Sequence, residues 1–565
     1  MVLTHIYRPI PKTEPLQRRL RPRKNRHSGD DNTKIPSVYQ ETVFAIPELL
    51  DLITGFLARD DLRVLIRVCR TWNAFWAPYL YSDLFLCKYK KTRVYPKVRT
   101  YGHYVEALEL NSTTLNNILY LLDYVPNLQS LSLHHSALSL IQLQSIIAMV
   151  PQLRGLHLSF KRILFKPQDC PLTLAASLQN LEQFSWMGID SEIRVDDILF
   201  VLKSCLRLRS LCLSRITLVE ELPELPRTMV KVEDHDWQNT SLRRLECNLV
   251  LLGPRQTKAT EPEDVHPCIR RLVGLQYVQL WPLGYAHFHH AQPTPSKITD
   301  ALNTIAKYCD NLKVLDVKNT FPTTDDMFKE IMERNHQLQR VCVKNTDIGD
   351  LPLQMLARLP ASCTAHNLVE LDLEGCIHVT SAGITPVLEN CGRLQNLNIA
   401  RTKAATLNLF KGNKPWACRT SLEILRIDIQ PQDYQPPPRM VNWIPVSQQG
   451  PPVIPYSPEE QLLVKERLTS FTSLRALDIK GLSMEFGMLD DMSFAPHLRQ
   501  VILHIPFRQP GDGSQYEPAQ AKALEWGRAL FPEWHVWTGA NFAYSTVVCM
   551  INAKLNYHDE TFVLW

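Results

Sequence analysis

The 565-residue sequence predicts an α/β solenoid, a curved parallel sheet with helices along its outside, preceded by a small all-helical domain. Three observations predict it. The segment 368–393 reads LVELDLEGCIHVTSAGITPVLENCGR and fits a strand, a turn, a helix and a return into one short unit. Leu368, Leu371 and Leu373 form L-x-x-L-x-L, a strand whose alternate side chains point one way. Thr380, Gly383 and Ile384 open a helical run with Val387 and Leu388 on its apolar side, and the next strand restarts at Leu394, Leu397 and Ile399. Second, the pattern or a near variant recurs from Leu128, Leu153, Leu181, Leu208, Leu242, Leu275, Leu312, Leu338, Leu394, Leu422, Leu474 and Leu498, with Val105, Leu108 and Leu110 as a weaker first copy. Third, the chain exceeds a single compact core, so a repeat array or several domains are required.

The starts lie about 30 residues apart, close to the period of roughly 20–29 residues of leucine-rich repeats. One such unit cannot bury its own apolar face, so it needs stacked neighbours. Cys205, Cys309 and Cys391 each stand three residues before a strand leucine. That placement is similar to the cysteine-containing subtype of repeat, in which the thiol packs as a small hydrophobe. The opening residues MVLTHIYRPIPK lack the apolar core of a secretion signal, so the 14 cysteines are expected to be reduced thiols. No C-x-x-C pair offers a zinc cage. No apolar run is long enough for a membrane span, and a net charge of +5 is too mild to imply nucleic-acid binding.

In chain order, residues 1–40 read as a basic, proline-containing disordered tail, either a nuclear import signal, a docking arm for an acidic partner or a solvated tail. Residues 41–86 change character. Pro47 suits the first position of a helix, having no N–H to lose. Leu49, Leu50, Ile53, Phe56 and Leu57 recur at helical spacing after it. Asp60 can cap a second helix carrying Leu62, Leu65, Val68, Cys69 and Trp72. Two or three short helices bury too little to stand well alone, so part of this apolar surface is expected to meet a partner.

The segment resembles an F-box. Ile46-Pro47-Glu48-Leu49 stands where that family opens with Leu-Pro, an acid and Leu. Ile53 and Leu57 match its first helix, Asp61-Leu62 the start of the next, and Val68-Cys69 with Trp72 its Val-Cys and following Trp. Ile46 for the usual Leu, and Tyr81 where Trp is common, depart from the pattern and keep it apolar. An F-box followed by leucine-rich repeats resembles the substrate receptors of Skp–cullin–F-box ubiquitin ligases, and the run 101–110 is similar to fungal members. The resemblance implies that Ile46, Pro47, Leu49, Leu50, Ile53, Leu57, Leu62, Leu65, Val68, Cys69 and Trp72 contact the Skp adaptor and, through it, a cullin-RING ligase. It implies that the repeats hold a protein substrate for proteasomal degradation, in cytoplasm or nucleus, while other subunits transfer ubiquitin. A repeat scaffold or transport adaptor working outside a ubiquitin ligase is the alternative.

Residues 87–103 read as a linker. Its cations, with Tyr89 and Tyr95 between them, could stack on nucleic acid, but a solvated connector is the simpler expectation. The solenoid is expected over 104–505. It is interrupted by an acidic insertion within 215–240, a loop within 253–267 and a Pro-rich insertion at 430–458 that cannot be regular structure. His287, His289 and His290 could bind a metal, but no Cys or carboxylate stands beside them at ligand spacing, so no metal and no cofactor is expected. Residues 506–565, with an unusually apolar tail, read as the terminal cap that a solenoid needs. No signature of a nucleophile elbow, zincin, P-loop or dinucleotide fold occurs, so no catalytic residue is assigned. Strand residues between and beside the leucines face the concave side. On that rule Tyr277, Gln279, Trp281, Asp316, Lys318, Arg340, Lys344, Glu370, Asp372, Glu374, Arg426 and Asp428 are the candidate substrate surface.

Overall fold

The computed structural model describes residues 47–87, 91–135, 138–160, 174–193, 195–218, 238–250, 269–283, 295–318, 324–358, 367–412, 414–429, 456–481, 498–506, 525, 528, 535–541 and 546–552. Among these residues three helices, Pro47–Phe56, Arg59–Leu65 and Arg70–Tyr81, precede a 17-stranded sheet. Its first strands are β1 (Asp83–Cys87), β2 (Ala107–Asn111), β3 (Ser130–His134), β4 (Gly155–Phe160), β5 (Gln183–Ile193) and β6 (Ser210–Leu218). Then come β7 (Arg244–Val250), β8 (Tyr277–Leu283), β9 (Val314–Val317), β10 (Arg340–Cys342), β11 (Glu370–Asp372) and β12 (Asn396–Ile399). The last are β13 (Ile424–Ile429), β14 (Ala476–Gly481), β15 (Gln500–Pro506), β16 (His535–Asn541) and β17 (Thr546–Asn552). Each strand from β1 to β14 pairs in parallel with the next one in sequence, so that β1 to β15 form one parallel run. This is the α/β leucine-rich-repeat solenoid that the sequence pattern predicts.

The register explains the pattern. Leu371 stands beside Val341 on one side and Leu397 on the other, and all three are almost fully buried. The next strand position carries Cys342, Asp372 and Asn398 on the opposite face. A one-residue slip would send every leucine to the wrong face, so the leucine columns hold the register. The chain then turns sharply off the strand. Asn345, Gly375 and Arg401, at matching positions, adopt left-handed φ values of 50°, 75° and 57°. Gly375 N donates to the Ala400 carbonyl, and a Cβ at Gly375 would push against the Asn345 side chain, so glycine suits this position while Asn and Arg fill its neighbours. Helix Ser381–Asn390 follows, with the Thr380 hydroxyl accepting from Ala382 N, and Asp350 of the preceding repeat fixing Thr380 through its amide at 2.7 Å. Cys205, Cys309 and Cys391 are fully buried, as the repeat subtype requires.

Several boundaries differ from the sequence reading. The array starts at β1, inside the segment assigned to the helical domain, because Leu84 and Leu86 fall in register with Leu108 and Leu110. The stretch 87–103 is not a solvated connector throughout. It contains helix Lys91–Tyr101, which buries Val98 and stacks Tyr101 on Tyr81 at 4.4 Å. The Pro-rich insertion ends in structure: Pro458 opens helix Pro458–Thr469, capped by Ser457 and Glu460 in a reciprocal pair. Within the segment read as the cap, β17 pairs antiparallel with both β15 and β16. The basic tail 1–40, the His287–His290 loop, most of the Pro-rich insertion and residues 553–565 lie outside the described residues.

Candidate functional site

Two surfaces carry the residues singled out from sequence. The first is the helical module. Ala58 N donates to the Asp61 carboxylate at 2.9 Å, and Cys69 Sγ accepts from Trp72 N at 3.4 Å, so both later helices have capped starts. Leu62, Trp76 and Leu80 form a small core, with Leu57, Leu65, Trp72, Phe75 and Tyr81 packed against it. Leu57, Leu62, Leu65 and Trp72 therefore serve the module's own fold. The remaining apolar side chains are left outside. Leu52 is 59 % exposed, Phe56 62 %, Val64 64 % and Val68 57 %, and Leu49, Ile53 and Cys69 are exposed as well. Leu49, Leu52, Ile53 and Phe56 recur at i, i+3, i+4 and i+7, one face of helix Pro47–Phe56. The sequence reading passed over Leu52 and Val64, although that spacing pointed to Leu52. Ile46, and the side chains of Pro47 and Leu50, lie outside the described residues.

The module is joined firmly to the array. Arg59 donates to the Asp83 carbonyl at 2.6 Å, at the start of β1. Asn73 Nδ2 donates to the Ile66 carbonyl and to the Tyr101 hydroxyl, at 2.9 and 3.2 Å.

The second surface is the sheet face opposite the buried leucines. From β9 to β13 it is a network of ions. Arg340 meets Glu370 at 3.0 Å. Lys344 meets Asp372 at 2.8 Å and Glu374 at 3.1 Å, and Arg401 meets Glu374 at 2.6 Å. Lys318 lies 3.5 Å from Asp316. Asp428 is nearly buried and accepts from Arg401 N at 2.8 Å, while Arg426 sits in register between Asn398 and Asp478. Burial works against the charge on Lys344, but Asp372 and Glu374 outweigh it and hold the pKa above the ordinary lysine value. Burial likewise works against the charge on Glu374, and Arg401 with Lys344 overcomes it, holding that carboxyl below its usual range.

A second cluster lies on β6–β8. Arg244 pairs with Glu246 and stacks over the Tyr277 ring at 4.2 Å, and the Tyr277 hydroxyl donates to Gln279 at 2.8 Å. Burial, then Glu246, pushes the Tyr277 pKa up to about 12 and the neighbouring Cys212 to about 12. Such a thiol is no nucleophile at neutral pH. The backbone of Trp281 pairs in register with Asn248, and its side chain lies outside the described residues. The structure thus brings Arg340, Lys344, Glu370, Asp372 and Glu374 together, with Tyr277 and Gln279 on the strand beside Asp316. Sequence reasoning missed Arg401, Arg244 and Glu246. Arg401 lies beyond the strand pattern, and only the turn brings it back to Glu374. Among the described residues, no group of His, Cys, Asp or Glu is placed to hold a metal ion.

No family model matches the chain, and no curated protein matches it. Among solved structures the chain is similar to a leucine-rich-repeat protein of Leptospira interrogans, at 16 % identity over 72 % of this chain and 80 % of that one, with a TM-score of 0.39. It is similar to the Rad7–Elc1 complex of yeast, at 14 % identity over 82 % and 93 %, TM-score 0.39. An internalin of Listeria monocytogenes gives 14 % identity over 73 % and 89 %, also at 0.39. The repeat architecture is defined by the chain's own strand register and buried leucine columns.

Proposed function

We propose that this protein is the substrate-recognition subunit of an SCF-type E3 ubiquitin ligase. The helical module acts as an F-box that binds the Skp adaptor, and the exposed sheet face of the repeats receives the protein to be ubiquitinated. The observation that carries the reading is the apolar surface left outside by Leu49, Leu52, Ile53, Phe56, Val64 and Val68, on a segment matching the F-box pattern. A surface of that kind on a module with so small a core calls for a protein partner. The chain itself serves as a receptor and transfers nothing; its action is expected in cytoplasm or nucleus.

The test is copurification of the Skp adaptor and a cullin with the tagged full chain. The double variant Pro47→Ala, Leu49→Ala is expected to abolish that association, since central apolar anchors each contribute about 2 kcal/mol or more. Its thermal unfolding should stay that of the parent array. Adaptor recovery unchanged in the variant, or absent from the parent, overturns the reading and leaves a repeat scaffold outside a ubiquitin ligase.

A further inference from the structure

One row of the sheet face sets an apolar stretch between two arginines. Arg244 of β7, Tyr277 of β8, Val314 of β9 and Arg340 of β10 stand in register, one per strand, on the face opposite the buried leucines. The residues that follow them, Leu245, Val278, Leu315 and Val341, turn into the core. The guanidinium of Arg244 leans over the Tyr277 ring at 4.2 Å, and Arg340 is drawn toward Glu370 on β11 at 3.0 Å. Both arginines act on the Tyr277 hydroxyl, opposing the rise that burial, and then Glu246, impose on its pKa. Half-buried Val314, with Tyr277 beside it, lies between the two cationic heads.

In each ion pair of this row the cation stands outermost. The Arg244 side chain is 43 % exposed over Glu246 at 11 %, and Arg340 is 51 % exposed over Glu370 at 29 %. A partner approaching this face therefore meets two guanidinium groups first. One carboxylate cannot take all five donors of a guanidinium. The same face shows one cation holding two carboxylates, since Lys344 meets both Asp372 and Glu374.

The spacing selects the partner. Strands lie about 4.8 Å apart, so the three steps from β7 to β10 span about 14 Å. An extended chain rises about 3.4 Å per residue and turns alternate side chains to one face. Its residues i, i+2 and i+4 therefore face the same way, and i and i+4 lie about 14 Å apart.

We propose that this row receives an extended segment of the substrate with an acidic residue at i, an apolar residue at i+2 and a second acidic residue at i+4. The two acids meet Arg244 and Arg340, whose planar forks match carboxylates, and the apolar side chain packs on Val314 and Tyr277. Arg and Tyr are among the residue types that dominate binding energy at protein interfaces. The inference rests on the reading that the sheet face receives the substrate, and its test needs neither adaptor nor cullin.

The test is fluorescence anisotropy with the purified full chain. The probe is a labelled peptide containing Glu-Thr-Leu-Thr-Glu. One comparison peptide carries Gln for both Glu, and the other sets the two Glu at i and i+3. The probe is expected to bind, and each comparison peptide to bind about tenfold more weakly, as for two exposed charge pairs. The double variant Arg244→Gln, Arg340→Gln should weaken the probe by a similar factor and leave the Gln peptide unchanged. Arg475→Gln, which removes an exposed arginine paired with Glu423 elsewhere in the array, should bind the probe as the parent does. Where the double variant unfolds at a lower temperature than the parent, the Gln peptide on the parent chain decides. The inference is overturned if no peptide binds, if the comparison peptides bind as tightly as the probe, if a folded double variant keeps the parent's affinity, or if a single-stranded oligonucleotide of equal charge binds more tightly. Adaptor copurification without peptide binding overturns this inference alone. Peptide binding without the adaptor leaves it standing and overturns the ligase reading.

Discussion

The helical module and the repeat array treat the same kind of side chain in opposite ways. In the array one continuous core runs from Leu86 to Val501, and leucines such as Leu371 have no exposed surface. In the module the core is Leu62, Trp76 and Leu80, with the Trp76 indole N–H buried and without an acceptor among the described residues, while Leu52, Phe56 and Val64 stay mostly exposed. Hydrophobicity per residue does not separate the two. Stacking does: each repeat covers its neighbour's apolar face, whereas among the described residues Leu52, Phe56 and Val64 of the helical module stay open. An apolar residue in the array should therefore matter for stability, and one on the module's outside for association.

The largest expected effect tests the array side. Leu371→Ala should lower stability by about 3 kcal/mol, from lost burial plus the cavity left between Val341 and Leu397. Urea unfolding measures it, and a loss below about 1 kcal/mol would mean that the array relaxes locally and is not the rigid stack described.

A middle-sized effect tests the ion network on the array's face. Glu374→Gln should cost about 1–2 kcal/mol, because Lys344 and Arg401 lose a shared carboxylate in a half-buried site. The sign with pH follows. The folded pKa of Glu374 is depressed below the ordinary 4.5, so its contribution is present above that value and lost as pH falls through the folded pKa. The folded pKa of Lys344 is raised above 10.5, so its contribution is present below that value and lost as pH rises through the folded pKa. Stability measured from pH 7 down to 3 should fall less steeply in the Gln variant; parallel curves would show that Glu374 is not coupled to its neighbours.

The smallest effect is the sharpest test of the comparison. Leu52→Ser with Phe56→Ser should change stability by no more than about 0.5 kcal/mol, as for exposed surface positions. A loss as large as that of Leu371→Ala would place this helix in a core and remove the contrast.

Much of this was legible before any coordinates. The L-x-x-L-x-L starts located most of the parallel strands, since a column of leucines tolerates only one register. The helical spacing of Leu49, Ile53 and Phe56 marked an amphipathic face, and the cysteines before the strands were read as buried. Strand β1 was harder to see, because Asp83-Leu84-Phe85-Leu86 is too short to signal a repeat without β2 beside it. Helix Lys91–Tyr101 was hidden by its charge; among its described side chains Val98 and Tyr101 turn inward.

By itself, the sequence determined the repeat class, the order of the strands and which face of each is apolar, because period and alternation are local properties of a chain. The tertiary structure decided which charges are satisfied. Arg401 reaches Glu374 across 27 residues of sequence through a left-handed turn, and Lys344 reaches the same carboxylate across 30. Electrostatic pairing depends on distance in space, and the stacking of repeats sets that distance.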